Sequence, residues 1–107
     1  MRNLLKRYPA LGVCTNDIKK ALELILDTYK NGGKILVCGN GGSASDSEHI
    51  VGELMKGFML KGTVTDERIP EHLRTKLHGA VSAISLPSQS AILSAIINDV
   101  DPDMMYA

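Results

Sequence analysis

The sequence predicts an α/β layer fold built on a parallel sheet. Three observations lead there. Residues 34–38 form a near-continuous β-prone run, the pattern of a strand covered on both faces. Residues 17–30 and 43–59 carry apolar side chains at helical spacing. A second β-prone run at 80–86 is followed by a helical stretch at 88–97, so the chain reads αβαβα.

Taken in order, residues 4–8 form at most one turn, which Pro9 ends. The helix over 17–30 places Ile18, Ala21, Leu22, Ile25, Leu26 and Tyr29 on one face, with Thr15 or Asn16 as N-cap and Gly32-Gly33 as the stop. Leu24 widens that apolar arc, so the helix is expected to bury against more than one neighbour, another subunit included. After the strand at 34–38, the helix over 43–59 is expected to bury Ile50, Val51, Leu54, Met55 and Phe58, while Asp46, His49 and Glu53 share a side at i, i+3 and i+7. Met55 and Met59 read as core filler. Residues 62–76 are polar and contain Pro70, the composition of a surface excursion, with a short helix near 71–76. Ser88 stands near the cap of the following helix, and Asn98-Asp99 closes it.

Asp101-Pro102-Asp103 has the form of an N-cap, an N1 proline and a first-turn acid, yet the chain ends at Ala107. Two parallel strands cannot make a sheet buried on both faces. The expectation is therefore a fragment of a larger domain, or a domain completed by a partner.

The chain has 107 residues, 44% hydrophobic, with twelve basic against twelve acidic side chains. That describes a single small soluble globular domain with no electrostatic footprint for nucleic acid. No apolar run approaches the roughly 20 residues of a membrane helix, and the first residues are too short in apolar length for a secretory signal, so a cytoplasmic location is expected. Cys14 and Cys38 make no CxxC pair, and Cys38, in an apolar strand, reads as a buried reduced thiol.

The chemistry concentrates in residues 34–53, KILVCGNGGSASDSEHIVGE. Gly39, Gly41 and Gly42 permit positive φ and close approach of a ligand, and a helix starts at about Ser43, so backbone N–H groups and the helix dipole converge on one point. An anion such as phosphate or carboxylate suits it, with Asn40 and Ser43 adding hydrogen-bonding groups. A P-loop needs Gly-Lys-Ser/Thr at the helix start, and Gly42 is followed by Ser43 and Ala44. Gly39, Gly41 and Ala44 satisfy one variant of the dinucleotide fingerprint, but residues 59–63 lack the acid it requires about 20 residues on.

His49 and Glu53 stand i, i+4 and reach one point from one helix face. They suit two ligands of a zinc-like ion, or a general base with a histidine that orients it or the substrate, or an ordinary exposed pair. His72 and His78 lack ligand spacing and read as solvated surface histidines.

Residues 37–58, VCGNGGSASDSEHIVGELMKGF, resemble the sugar-isomerase (SIS) domain, in particular the phosphoheptose isomerases, marked by a GNGGS turn and an H-x-x-x-E-L helix. The resemblance extends more loosely through the N-terminal helix, residues 80–86 and Asn98-Asp99. It implies a three-layer αβα sandwich with a parallel sheet, flavodoxin-like or Rossmann-like and incomplete here. One SIS domain, N-terminal portion only, would then span 1–107, with 1–33 a helical segment used in oligomer packing and 34–107 the first βαβα part of the sheet domain. The implied activity interconverts sedoheptulose 7-phosphate and D-glycero-D-manno-heptose 7-phosphate through an enediol, with Glu53 as base and zinc ligand and His49 as zinc ligand. Asn40, Gly41, Gly42, Ser43, Glu53, Asn98 and Asp99 would contact the sugar phosphate, and a homotetramer is implied.

The family's Ser/Thr-rich phosphate loop and its later Gln and His have no counterpart before Ala107, so half a site is expected, inactive alone. Where the family often has an arginine four residues after the glutamate, this chain has Gly57 beside Lys56. The rival reading is a non-catalytic SIS module, binding phosphosugars in a transcription regulator or pairing with protein in replication initiation. Retention of both His49 and Glu53 favours the enzyme.

Overall fold

The computed structural model describes residues 2–57 and 62–107. Phe58 and Met59, expected in the core, lie outside the described residues. The chain divides into two compact units, Met1–Gly33 and Lys34–Ala107.

The first unit runs from α1 (Arg2–Arg7) through a 3-10 helix (Pro9–Cys14) into α2 (Thr15–Lys30). Pro9 ends α1 as expected and opens the 3-10 turn, where its missing N–H costs nothing. Neither Thr15 nor Asn16 caps α2. The 3-10 helix feeds straight into it, Cys14 takes the cap position without a side-chain bond, and the Thr15 hydroxyl donates backwards to the Gly12 carbonyl at 2.9 Å. At the other end Gly32, with φ +68°, turns the chain out of the helix. Within this unit the apolar arc of α2 is not covered. Leu22, Ile25, Leu26 and Tyr29 are exposed and Leu24 is 70% exposed in the single chain.

In the second unit β1 (Ile35–Val37) and β2 (Ala83–Ser85) pair in parallel, with Ile35 opposite Ala83, Leu36 opposite Ile84 and Val37 opposite Ser85. Bonds from Ile35 N–H to the Ser82 carbonyl and from Leu86 N–H to the Val37 carbonyl, both 2.9 Å, extend the ladder at each end. Helix α3 (Gly42–Lys56) covers one face. Alternation along β2 sends Ala83 and Ser85 to that face, where both are buried against the helix, and Ile84 to the other.

Close approach is possible because the contact residues are small. Ser47 is 1% exposed and its hydroxyl lies 2.8 Å from that of Ser85. The Ser47 proton goes to the Ala44 carbonyl at 2.7 Å, which makes Ser85 the donor to Ser47. This reorders the expected core of α3. Val51 and Leu54 are half-buried, but Ile50 and Met55 are exposed, because the helix turns its small residues to the strand.

Among the described residues the other face of the sheet is only partly covered, contrary to the expectation of cover on both sides. Leu36 is 57% exposed and Ile84 is exposed beside it. Leu36 and Leu86 line a groove of about 360 Å³ with Ile92, Leu93 and Ile96 of α5 (Ser90–Asp99) and with Met105 and Tyr106. Cys38 is exposed rather than buried, since β1 ends at Val37 and residue 38 already belongs to the turn.

Residues 62–79 form the polar excursion, closed at its base by an antiparallel bridge between Thr63 and His78 and by the bond from Gly79 N–H to the Gly62 carbonyl. It contains α4 (Glu71–Arg74) and an Asp66–Arg68 pair whose side-chain bonds, joined by the Arg68 backbone N–H, hold the Asp66 carboxyl below its ordinary range. His78 is half-buried rather than solvated. Its Nδ1 lies 3.1 Å from the Lys56 carbonyl, an acceptor, which puts the proton on that nitrogen. Ser88 does not cap α5. The helix starts two residues later than expected, with Gln89 at the cap position, and the Ser88 hydroxyl instead donates to Glu48 Oε1 of α3 at 2.8 Å. Asp101 does cap a 3-10 helix (Pro102–Met104), accepting from Asp103 N–H at 2.9 Å. Among the described residues no helix is long and apolar enough to cross a membrane.

Candidate functional site

Parallel pairing puts the carboxyl ends of β1 and β2 on one edge, and the turn over residues 39–43 leaves from that edge into α3. Ligands of open α/β sheets bind at such an edge. Two glycines in the turn have specific geometric causes. A Cβ on Gly39 would lie 2.6 Å from the Ser43 carbonyl carbon, where only hydrogen fits. Gly41 takes φ +59° and ψ −124°, a conformation that side chains resist. No Cβ at Gly41 or Gly42 would meet another atom within 4 Å, so the space beside them is open.

Ser43 ties the turn to itself. Its hydroxyl accepts from Asn40 N–H and donates to the Asn40 carbonyl, each at 2.8 Å, and its own N–H reaches that carbonyl at 3.2 Å. Among the described residues neither the Gly41 nor the Gly42 N–H has a backbone acceptor. They head a 15-residue helix with no acid in its first turn, so dipole and free donors face the same open space without a competing carboxylate. The chemistry available is that of binding an oxyanion.

Two turns along α3, His49 Nε2 lies 3.8 Å from Glu53 Oε1, with side chains 78% and 45% exposed. Their donor atoms are close enough to address one ion or one substrate proton from the same side. Asp46 is exposed on the preceding turn, and among the described residues no set of three His, Cys, Asp or Glu side chains could hold a metal. The described part of the chain thus offers two donors of suitable chemistry toward a four-donor zinc site.

Asn98 and Asp99 finish α5 and are exposed. Among the described residues neither side chain bonds to the turn. The link is made by Tyr106, which sequence reasoning missed. Its hydroxyl donates to the Gly39 carbonyl at 2.9 Å and is shared with Asn40 Oδ1 at 3.2 Å. Nothing in local periodicity signals a contact across 67 residues.

A turn of this geometry on a parallel edge, followed by an H-x-x-x-E helix, also carries the likeness to known proteins. The family model described as SIS domain matches residues 2–99. The chain is 36% identical over 90 residues to a phosphoheptose isomerase of Helicobacter pylori (strain P12), covering 84% of this chain and 38% of that protein. It is 36% identical over 85 residues to one from Roseiflexus sp. (strain RS-1), 79% of this chain and 35% of the relative. A third, from Akkermansia muciniphila, is 31% identical over 100 residues, 94% of this chain and 44% of the relative. The chain thus spans well under half the length of these curated relatives. No solved structure matches. The family match takes in α2, both strands and the whole path from the glycine turn to Asp99, and with the parallel β1–β2 pair it settles the assignment: this chain belongs to the SIS domain family.

Proposed function

We propose that the protein isomerises a phosphorylated ketose and aldose, with sedoheptulose 7-phosphate and D-glycero-D-manno-heptose 7-phosphate as the pair. The observation that carries this reading is the conjunction on α3 of free Gly41 and Gly42 N–H groups at its head and the His49–Glu53 pair two turns along. Isomerisation moves one proton between adjacent carbons while the carbonyl shifts. Glu53 Oε1 takes the proton from the hydroxyl-bearing carbon next to the carbonyl; as the carbonyl shifts through the enediol, the hydroxyl proton passes to the former carbonyl oxygen, and the same carboxyl returns its proton to the former carbonyl carbon. Asn40, Gly41, Gly42 and Ser43 hold ligand oxygens at the turn, and Asn98 and Asp99 are assigned to a second substrate-contacting segment.

His49 and Glu53 are the residues that would hold zinc. When bound, that ion supplies Lewis-acid polarisation of the carbonyl. We further read the protein as a cytoplasmic homo-oligomer, with the exposed apolar arc of α2 suited to subunit packing. A second reading, a phosphosugar-binding module without turnover, draws on the contrast between a turn braced by its own hydrogen bonds and a solvent-exposed pair.

Assay of the full-length protein with sedoheptulose 7-phosphate separates the two. Turnover is expected there, and Glu53→Gln in that protein is expected to reduce it by about 1,000-fold or more while binding of the sugar phosphate stays measurable. Unchanged turnover in Glu53→Gln would remove Glu53 from the role of base. Binding without turnover in the unaltered protein would establish the module instead.

A further inference from the structure

We infer that Tyr106 is a positioning residue that sets the donor face of the glycine turn; in its ligand-binding part the inference rests on the function proposed above. A count of hydrogen-bonding groups leads to it. The Asn40 backbone is fully engaged by Ser43, its N–H donating to the serine hydroxyl and its carbonyl accepting from Ser43 Oγ and N–H. What remains of Asn40 is the carboxamide, which Ser43 does not touch. Tyr106 takes its oxygen at 3.2 Å and the preceding carbonyl, of Gly39, at 2.9 Å.

With the carboxamide oxygen drawn toward the phenol, whose single proton is shared between the two acceptors, the Asn40 NH2 is turned from Tyr106 and joins the Gly41 and Gly42 N–H groups as donors for a ligand. Such a face suits an oxygen that only accepts, on a phosphate or a carbonyl, and repels none of its lone pairs. Without the phenol, the carboxamide is free to rotate and can turn its oxygen, an acceptor, toward the same space.

Tyr106 is placed to do this by the segment before it. Asp101 caps the 3-10 helix Pro102–Met104, and Asp101 N–H bonds to the Ile96 carbonyl at 3.0 Å, so the chain folds back along α5. Tyr106 is half-buried and lines the same groove as Leu36, Ile92 and Met105, with its hydroxyl directed at the turn. The aromatic body is held by apolar contact and the polar tip reaches the turn.

Tyr106→Phe removes the tip and keeps the body. Two measurements read the result. Amide hydrogen exchange at residues 39–43 is expected to speed by about fivefold, the factor for one neutral hydrogen bond, with exchange elsewhere unchanged. In steady-state assay of the full-length protein with sedoheptulose 7-phosphate, KM is expected to rise by about fivefold and kcat to stay within about twofold, because Glu53 stands about three turns away on α3. A merely structural tyrosine would instead speed exchange throughout the unit and leave KM alone.

Unchanged exchange at 39–43 overturns the positioning role, and faster exchange with an unchanged KM overturns its bearing on the ligand. Failure of the unaltered protein to bind or convert the sugar phosphate counts against the proposed function, and exchange still decides the bracing of the turn. In the unaltered protein, nuclear Overhauser contacts between the Tyr106 ring and the Asn40 side-chain amide are expected; their absence overturns the inference without any variant.

Discussion

The two halves of α3 are built on opposite principles. Its head is braced from four directions: Ser43 closes the turn, Tyr106 holds Gly39 and Asn40, Ser47 is bonded to Ser85, and Glu48 accepts from Ser88. From His49 on the bracing stops: among the described residues the His49 and Glu53 side chains have no polar partner but each other, at 3.8 Å, with 78% and 45% of their surface exposed. Binding groups gain from being fixed in advance, because a preorganised donor costs no ordering when the ligand arrives. On the proposed function, the pair on the second half carries chemistry, while its exposure leaves it little structural load. Substitutions in the first half should therefore move stability and binding together, and substitutions in the second should move turnover alone.

The strongest challenge to that contrast is Gly39→Ala. The added methyl would meet Ser43 backbone at 2.6 Å, and backbone cannot swing aside as a flexible side chain can. Relief requires opening the turn, which separates Asn40 from Ser43 and releases the Tyr106 bond. We expect a loss of about 3 kcal/mol in urea unfolding, together with loss of measurable sugar-phosphate binding by calorimetry. Retained binding at full stability would mean that the head of α3 is not held as tightly as its hydrogen bonds indicate.

The elements that make up this brace are legible in the amino-acid sequence, whereas the bonds that join them are not, and the difference has one cause. Residues 34–38 announce β1, the glycines announce a turn with close approach, and the 3.6-residue period announces α3 one residue from where it begins. These are local signals. Ser47–Ser85 and Tyr106–Gly39 join residues 38 and 67 apart, and no local pattern encodes them. Periodicity also marks which residues can be buried, not what buries them. Leu36, Ile50 and the apolar arc of α2 have the pattern of interior residues and are exposed, whereas Ser47, a residue with no hydrophobic signal, is the most buried described side chain. Thr15 and Ser88 fit cap preferences but spend their hydroxyls elsewhere, on Gly12 and Glu48, because a 3-10 helix precedes one and α3 adjoins the other.

A smaller effect tests the joint between the halves. In Ser47→Ala the Ser85 hydroxyl stays buried and loses its acceptor, which is expected to cost about 1–3 kcal/mol. The double variant with Ser85→Ala removes both partners, and its loss should fall short of the sum of the two single losses. Additive losses in that cycle would show that burial of small residues, rather than the 2.8 Å bond, joins α3 to β2.

The smallest expected effect is the sharpest test of the comparison. The His49 side chain is 78% exposed and among the described residues its one polar partner is Glu53, so His49→Ala should change stability by less than about 0.5 kcal/mol in urea unfolding. If the proposed function holds, the same change should sharply lower isomerase turnover, since that proposal gives His49 one of the two side chains at the reacting end of the ligand. Stability and activity are here expected to part company at a single residue. A stability loss above about 1 kcal/mol would assign His49 a structural load that its exposure does not suggest. It would also make the second half of α3 resemble the first, and would leave the braced turn as one instance of ordinary packing rather than a region built for binding.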